Sequence, residues 1–393
     1  MSFDTSKLTT YTKEHSKILI TKAATSAKTA ALLINLGNLR TGIKTSEKIG
    51  KLVTDAVFQS DTGCGFNPQG TTEISQREIV VGSIKVNEDL CPTTLEQFFT
   101  QQEMKPGPQE GLTKDVEQVY VEEKGKSINT DLEKAIWQGD KTLANGQLNK
   151  FDGFNTIIDA GASEVVWVNA RKGAGTITAT TGATGVTGVG TAFSSETAVG
   201  DKIYSEGSLI GTISAVGSNT SITLAANGAA AVTGKTFTIV KAAVSSPVTS
   251  FTSANIIDVM RSVYMAIPAE ILDSEKPLYA FVGSEVARMH LDALVQANMF
   301  HVKVDDNNKL LDEGYFVPGT KLFVFPTSGL TNTGRINAIQ PSNMWYGTDL
   351  ENGQDEYKMW WSDDDQVVKY KAAWKSGVQL GILSEVTSFS LAK

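Results

Sequence analysis

A block from about Gly173 to Val240, rich in glycine, threonine and alanine, interrupts an otherwise ordinary mixed α/β sequence. It constrains the fold because its two flanks read as one domain cut open. Glu164–Val168 is predicted as a strand on one side and Thr252–Ile267 as an amphipathic helix on the other. Insertions of this kind enter surface loops and serve contact more often than chemistry. Inside the block, the runs Asp201–Ser205, Leu209–Ala215, Ser221–Leu224 and Phe237–Val240 are separated by glycine or asparagine turns. Threonine and valine favour strands there and charges are sparse. A small sandwich or barrel is expected, near the lower size limit for a domain without staples. A disordered linker is the competing reading.

The chain of 393 residues has room for two or three domains and a substantial core. Its net charge of −8 argues against a general nucleic-acid binder, which shows a basic patch or stripe, but leaves passive contact with packaged nucleic acid open. With Cys64 and Cys91 as its only cysteines, it has no disulfide framework, and both are expected as free thiols. Met1–Thr25 scatters Lys7, Lys13, Lys17 and Lys22 among polar residues, without the apolar run of an export signal. No stretch approaches the roughly 20 apolar residues of a membrane span. The expectation is a soluble protein made in a cytoplasm.

Residues 1–60 mix short helical patterns with Gly37, Gly42 and Gly50, as an arm lying over something else would. Ile79–Val86 reads as a β-hairpin around Gly82-Ser83, the first position being the one a type II′ turn reserves for glycine. That register pairs Val81 with Ile84, Ile79 with Val86, Arg77 with Glu88, and Cys91 with Ile74. An isolated two-stranded hairpin is marginal in water, so this one needs a neighbour. After Pro106 and Pro108, Leu112–Trp137 is predicted as a long helix with Val116, Val119, Tyr120, Leu132, Ile136 and Trp137 near helical spacing. Gly125 is its weak point and Gly139 its natural stop.

Downstream, Thr252 or Ser253 is expected to cap a helix stopped by Pro268, and Ser284 a second helix carrying Val286, Met289, Leu294 and Val295. Leu278–Val282 and Leu322–Phe325 are predicted strands. The last part reads as the strands Arg335–Ile339, Tyr357–Trp361, Val367–Trp374 and Val378–Val386, with turns at Asp363–Asp365 and Ser376-Gly377.

The vocabulary of catalysis is nearly empty, and no catalytic, cofactor-binding or metal residue is assigned. His15, His290 and His301 are scattered and form no H-E-x-x-H pair, so a histidine-based zinc hydrolase is not expected. His290 reads as a solvated or core-edge residue of its helix. No nucleophile elbow or Walker A sequence occurs. Gly185, Gly188 and Gly190 precede no helix and so gather no phosphate at a helix N-terminus. Asp363–Asp365 and Asp305–Asn308 read as polar turns; they lack the ligand pattern of a calcium loop, which leaves cation binding by Asp363–Asp365 open. Asn219-Thr220-Ser221 matches a glycosylation acceptor without an accompanying export signal. The aromatic residues Trp345, Tyr346, Tyr357, Trp360, Trp361 and Trp374 read as core crossing strands rather than as a sugar platform. A hydrolase reading would need a carboxylate pair, for example Glu270 with Asp273, and nothing places one in a cleft.

The order of elements is more informative. An arm, a β-hairpin and a long helix lead to Ala135-Ile136-Trp137-Gln138-Gly139-Asp140, then a polar gap, then Phe151-Asp152-Gly153-Phe154 before Ile157-Ile158. Asn332–Ile336 and Asn343–Leu350, with Gly347-Thr348-Asp349, come later. This order resembles the major capsid proteins of tailed bacteriophages, whose icosahedral shell fold is shared with encapsulins. The resemblance covers residues 1–170 and 245–393. It implies an α+β fold with an N-terminal arm (1–60), an extended hairpin loop (61–105) and a spine helix opening a peripheral domain (106–160). An axial domain (161–172 and 241–334), an inserted β-rich surface domain (173–240) and a C-terminal β-rich part (335–393) complete it. It further implies a structural, non-enzymatic subunit that assembles into hexamers and pentamers around phage double-stranded DNA. Portal, separate scaffolding or decoration proteins are implied partners, DNA is touched non-specifically, and no membrane or cofactor takes part. The implied location is the virion capsid, assembled in the host bacterial cytoplasm. Two alternatives stand beside it: an encapsulin-like compartment shell, and a virion decoration or adhesin protein whose insertion binds glycans.

Overall fold

A computed structural model of the chain describes residues 27–54, 57–58, 69–90, 114–244, 246–299, 314–349, 358–362, 364–365 and 367–392. The expectations for the N-terminal lysines, His15, Cys64, Cys91, Pro106, Pro108, His301, Asp305–Asn308, Tyr357 and Asp363 lie outside the described residues. The chain divides into two compact units, Met1–Phe154 with Met344–Gly381, and Asn155–Asn343 with Ile382–Lys393.

The first unit is built on one long strand, Val367–Leu380. It pairs antiparallel with Gly82–Leu90, Lys358–Ser362 and Met344–Thr348, and the last of these pairs parallel with Leu39–Arg40. The expected turn at Ser376-Gly377 is therefore absent. Gly377 lies in mid-strand because a Cβ there would sit 2.4 Å from the carbonyl oxygen of Val80. It leaves room for a chain crossing over the sheet, not for a reversal.

The helix Lys114–Gln138 runs unbroken through Gly125, which is buried. Tertiary packing outweighs the glycine's propensity cost of about 1 kcal/mol. Ile128 and Tyr120 lay the helix on Tyr370, Ala372, Trp374, Ile84 and Val86 of the sheet, with the Tyr120 and Tyr370 rings edge to face at 5.7 Å. Its C-terminal end receives a short helix, Lys28–Asn35. The buried Glu133 carboxylate accepts from the Thr29 backbone N–H at 3.1 Å and from its hydroxyl, while Trp137 Nε1 donates to that hydroxyl at 2.9 Å. Of the segment expected as an arm lying over something else, Lys28–Asn35 is thus packed on its own unit.

The spaced run Trp137–Asp140 and Phe151–Phe154 closes on itself. A Cβ on Gly139 would meet the Phe151 carbonyl at 2.4 Å, and one on Gly153 would meet the Gly139 nitrogen at 2.7 Å. The two backbones touch, Gly153 N–H donates to Gly139 O at 2.9 Å, and the Trp137 and Phe154 rings pack 5.2 Å apart. Gly139 does follow the last helical residue, but close approach rather than a left-handed cap requires it.

The second unit holds a six-stranded sheet in the order Tyr315–Phe316, Leu322–Thr327, Leu278–Gly283, Arg335–Ile339, Thr387–Ser390, Val166–Trp167. Leu278–Gly283 and Leu322–Thr327 are parallel and joined through the helix Ser284–Gln296. The apolar faces of that helix and of Ile256–Ala266 bury Val259, Val263, Val286 and Leu294 against the sheet. The helix after the insertion starts at Ile256, with Asn255 at its cap position. Asn255 Oδ1 accepts from Thr252 N–H at 2.9 Å, so neither Thr252 nor Ser253 is the cap. Ser284 is the first helical residue rather than the cap, which is Gly283.

The insertion is a folded all-β body, as expected from its strand-turn rhythm and contrary to the linker reading. Its eight-stranded path runs Val232–Lys235, Thr176–Ala179, Gly185–Val189, Ser221–Leu224, Ser208–Ser218, Lys202–Ser205, Thr238–Val240, Arg171–Lys172. The long strand Ser208–Ser218 serves both halves: its first part pairs with Lys202–Ser205 and its second with Ser221–Leu224, with register irregularities along it. Ile177, Val186, Ile222 and Leu224 from one half share a single apolar core with Ile203, Phe237 and Ile239 from the other, and with Phe193. This is a small sandwich.

Candidate assembly surfaces

The largest departure from expectation concerns the hairpin. Thr72–Val80 and Gly82–Leu90 are both strands, but they do not pair with each other. Thr72–Val80 pairs along its whole length with Ser46–Thr54, from Ser46 opposite Val80 to Thr54 opposite Thr72. Gly82–Leu90 belongs to the long-strand sheet. The ribbon of the first unit is therefore Ser46–Thr54 with Thr72–Val80, and it straddles the expected boundary between arm and loop at residue 60. Gly82 serves no turn. Its absent Cβ would lie 1.8 Å from the Lys150 carbonyl oxygen, and a neighbouring backbone fills that place.

The ribbon is held at its root. Ile79 and Val81 bury with Ile43 in a cluster that also takes Ile49 and Trp345. They sit over the paired glycines Gly347 and Gly377, where a Cβ on Gly347 would meet Ile79 Cγ2 at 2.8 Å. Gln379 Nε2 donates to Glu78 O at 2.6 Å, Lys375 Nζ donates to Lys44 O, and Arg40 faces Glu47 at 3.9 Å. Ile79 is fully buried, whereas Ile74, further out on the same strand, is 74% exposed.

Beside the ribbon, Glu88 ties the long helix to the sheet through Lys124 and through the Tyr120 hydroxyl at 2.8 Å. Burial alone would raise its pKa, but the hydrogen bonds from Lys124 and Tyr120 and the Lys124 charge outweigh that and hold it low.

The neck of the sandwich is a second engineered-looking junction. Entry strand Arg171–Lys172 and exit strand Thr238–Val240 pair side by side. Arg171 and Lys241 both donate to Glu196 O, and Lys241 also reaches the buried Asp201 carboxylate at 2.9 Å. Asp201 accepts further from the backbone of Ala198 and Ala242. Glu206 pairs with Lys235 at 2.6 Å. Glu196, whose carboxylate accepts from Ala174 N–H at 3.1 Å, Asp201, Glu206 and Lys235 are thus engaged within the block or at its neck.

The remaining candidate residues do not converge. His290 is buried, not solvated: its Nδ1 lies 2.7 Å from the Tyr315 hydroxyl, which donates to Ala287 O at 3.2 Å. Desolvation lowers its pKa to about 4. Asp365 sits in the reversal between Lys358–Ser362 and Val367–Leu380, bonded to Lys369 and to Ser362. Hydrogen bonding to Lys369 lowers its pKa. Among the described residues no group of three or more His, Cys, Asp or Glu could hold a metal ion, and no helix is long and apolar enough to cross a membrane. Tyr346 and Trp374 are core, Trp345 lies under Arg40 at 4.8 Å, and Trp360 is exposed. Glu270 and Asp273 are exposed. Gly185 and Gly188 lie within a strand and Gly190 in the turn after it. Asn219 is exposed at the turn after the long strand of the sandwich, its side chain accepting from Ser194 N–H at 3.3 Å.

No protein-family model matches the chain, and no curated protein matches it. Its structure is similar to a chain in the procapsid of satellite phage P4, which includes the size determination (Sid) protein. That match has a TM-score of 0.52 at 10% identity, covering 96% of this chain and 91% of that one. The cyanophage A-1(L) capsid gives a TM-score of 0.46 at 10% identity over 93% and 94% of the two chains. The capsid of the native GTA particle gives 0.45 at 11% over 92% and 90%. The first of these carries the comparison: the chain has the α+β fold of a phage capsid protein, with an all-β domain inserted into it.

Proposed function

We propose that this chain is a major capsid protein, a structural subunit that assembles with copies of itself into the icosahedral shell around phage double-stranded DNA. The observation that carries the reading is the ribbon. A two-stranded ribbon is marginal in water, and this one leaves Ile74 exposed beyond its anchored root. Covering one such side chain contributes about 1.5–3 kcal/mol. In a closed shell the same modest contact recurs at every symmetry-related position, so weak interfaces make a robust particle.

In this reading the first unit is the peripheral domain, with Lys114–Gln138 as spine helix and Ser46–Val80 as the extended loop. The second unit is the axial domain, and the sandwich is a surface module. Subunits meet as hexamers and pentamers, with portal and separate scaffolding or decoration proteins as further partners. The role is structural rather than catalytic. A subunit of net charge −8 touches packaged DNA without holding it, since each phosphate contact would add affinity and salt dependence. The site of action is the virion capsid, after assembly in the host bacterial cytoplasm.

Electron microscopy of the expressed full chain tests this. Closed shells or ring-like capsomers are expected. A chain that stays monomeric across salt, pH and crowding conditions would refute it, and shells that enclose a protein cargo would favour the encapsulin-like alternative.

A further inference from the structure

We infer that the ribbon is a lever whose angle is set at its root by Gln379, a positioning residue that presents the exposed outer half to a neighbour. The inference rests on the capsid reading for its purpose but on geometry for its substance. The polar contacts between ribbon and body found among the described residues cluster where the strands leave the sheet. Ile43 N–H donates to Thr348 O at 3.2 Å, and within the base itself Val81 N–H donates to Thr45 O at 3.1 Å. Lys375 reaches Lys44 O. These bonds fix where the ribbon starts, since they hold the backbone on either side of its base.

Gln379 does something different. Its amide nitrogen donates to the carbonyl of Glu78, two residues out from Val80 at the base, while its amide oxygen accepts from Leu380 N–H at 3.0 Å and faces Arg77 Nη2 at 3.4 Å. One planar group thus bridges the sheet strand to the ribbon edge and resists rotation about the base. Beneath it lies a smooth seat. Gly347 and Gly377 are paired across the strands and carry no side chain, so the crossing at Val80 and Val81 rests against backbone and not against an interlocking side chain. Apolar contact between Ile43, Ile79 and Val81 is non-directional and tolerates a change of angle. The amide is a directional restraint, beside those of Lys375 and Arg40 nearer the base. A nine-residue ribbon magnifies a small rotation at its root, at about 3.3 Å of reach per residue.

The test uses the full chain carrying Cys64→Ser and Cys91→Ser, with spin labels at Glu73→Cys on the ribbon and Lys134→Cys on the long helix, both exposed positions. Gln379→Leu keeps the size but removes both the donor to Glu78 O and the acceptor that faces Arg77 Nη2. In the unassembled subunit it should raise the population of alternative label distances about five- to tenfold, the factor one hydrogen bond carries. The melting temperature should fall by no more than about 2–4 °C. Gln379→Ala provides the same comparison should the leucine variant fold poorly. Identical distance distributions in variant and parent would overturn the inference. Particle images form a separate arm: variants should give shells of mixed size where the parent gives one. Failure of the parent to form particles would remove the capsid reading, while the label distances would still decide whether Gln379 holds the angle.

Discussion

The ribbon and the inserted sandwich are both β-structures standing on the surface of this chain, and they solve opposite problems. The sandwich encloses Phe193, Phe237 and a set of isoleucines in its own core, and it engages most of its charges internally or at its neck. Among the described residues, the ribbon's core is the small cluster of Ile43, Ile79 and Val81 at its root, with Ile49 and Trp345 against it. A protein needs the first kind of element to carry a module and the second kind to reach another molecule.

The difference can be broken at several points. The largest effect is expected in the sandwich core, where Phe193→Ala should cost about 3–5 kcal/mol. Its loss should appear in thermal melting as an early transition of the insertion alone, with particle formation retained. A single cooperative transition that takes the whole chain with it would show that the module is not self-sufficient. Gly377→Ala strikes the other element at its seat. With Val80 O only 2.4 Å from the new methyl group, the strand or the crossing must shift, at about 1–3 kcal/mol by chemical denaturation. A neutral result would mean that the crossing is not held there.

The second unit offers a pH test. The folded chain keeps His290 neutral down to about pH 4, whereas the unfolded chain binds the proton near 6.5. Between these values the unfolded state carries more protons, so stability falls as pH drops through the window, by about 2 kcal/mol at pH 5. His290→Gln should remove that part of the difference between denaturation curves at pH 7 and pH 5. An unchanged pH dependence would place the acid sensitivity elsewhere. The smallest effect on stability belongs to the ribbon. Ile74→Ser should change the unfolding free energy by less than about 0.5 kcal/mol, as exposed substitutions do, yet cut the yield of particles. Equal loss of both would deny that the outer ribbon is a contact surface.

Deletion sharpens the comparison further. Lys172 and Thr238 are register partners, so joining them through an Asn-Gly turn removes the sandwich at a natural seam. The remainder should keep its near-ultraviolet circular dichroism, because loop insertions contribute little closure entropy either way.

Much of the element order was legible in the residues. The strands of Arg335–Ile339 and Ser221–Leu224, the helix ended by Pro268 and the folded nature of the insertion all follow from period and punctuation. Two glycines misled for one physical reason. Gly82 and Gly377 look like turns. Each instead lies against a passing backbone, at Lys150 and Val80. A missing side chain makes room for a bend or for a neighbour, and a linear sequence cannot distinguish the two. His290 was likewise read as peripheral, since helical spacing does not reveal that Tyr315 covers it.

Local pattern determined which stretches are strands or helices, because hydrophobic period and turn chemistry act over a few residues. It could not choose partners for those strands. Ile79, Val81, Ile84 and Val86 fit a hairpin register as well as they fit two separate sheets. Only the fold, by bringing Ser46–Thr54 and Val367–Leu380 alongside, decided between them. Long-range pairing won because the two longer ladders bond nine residue pairs each along their strands, where a short hairpin between them would have left those edges open.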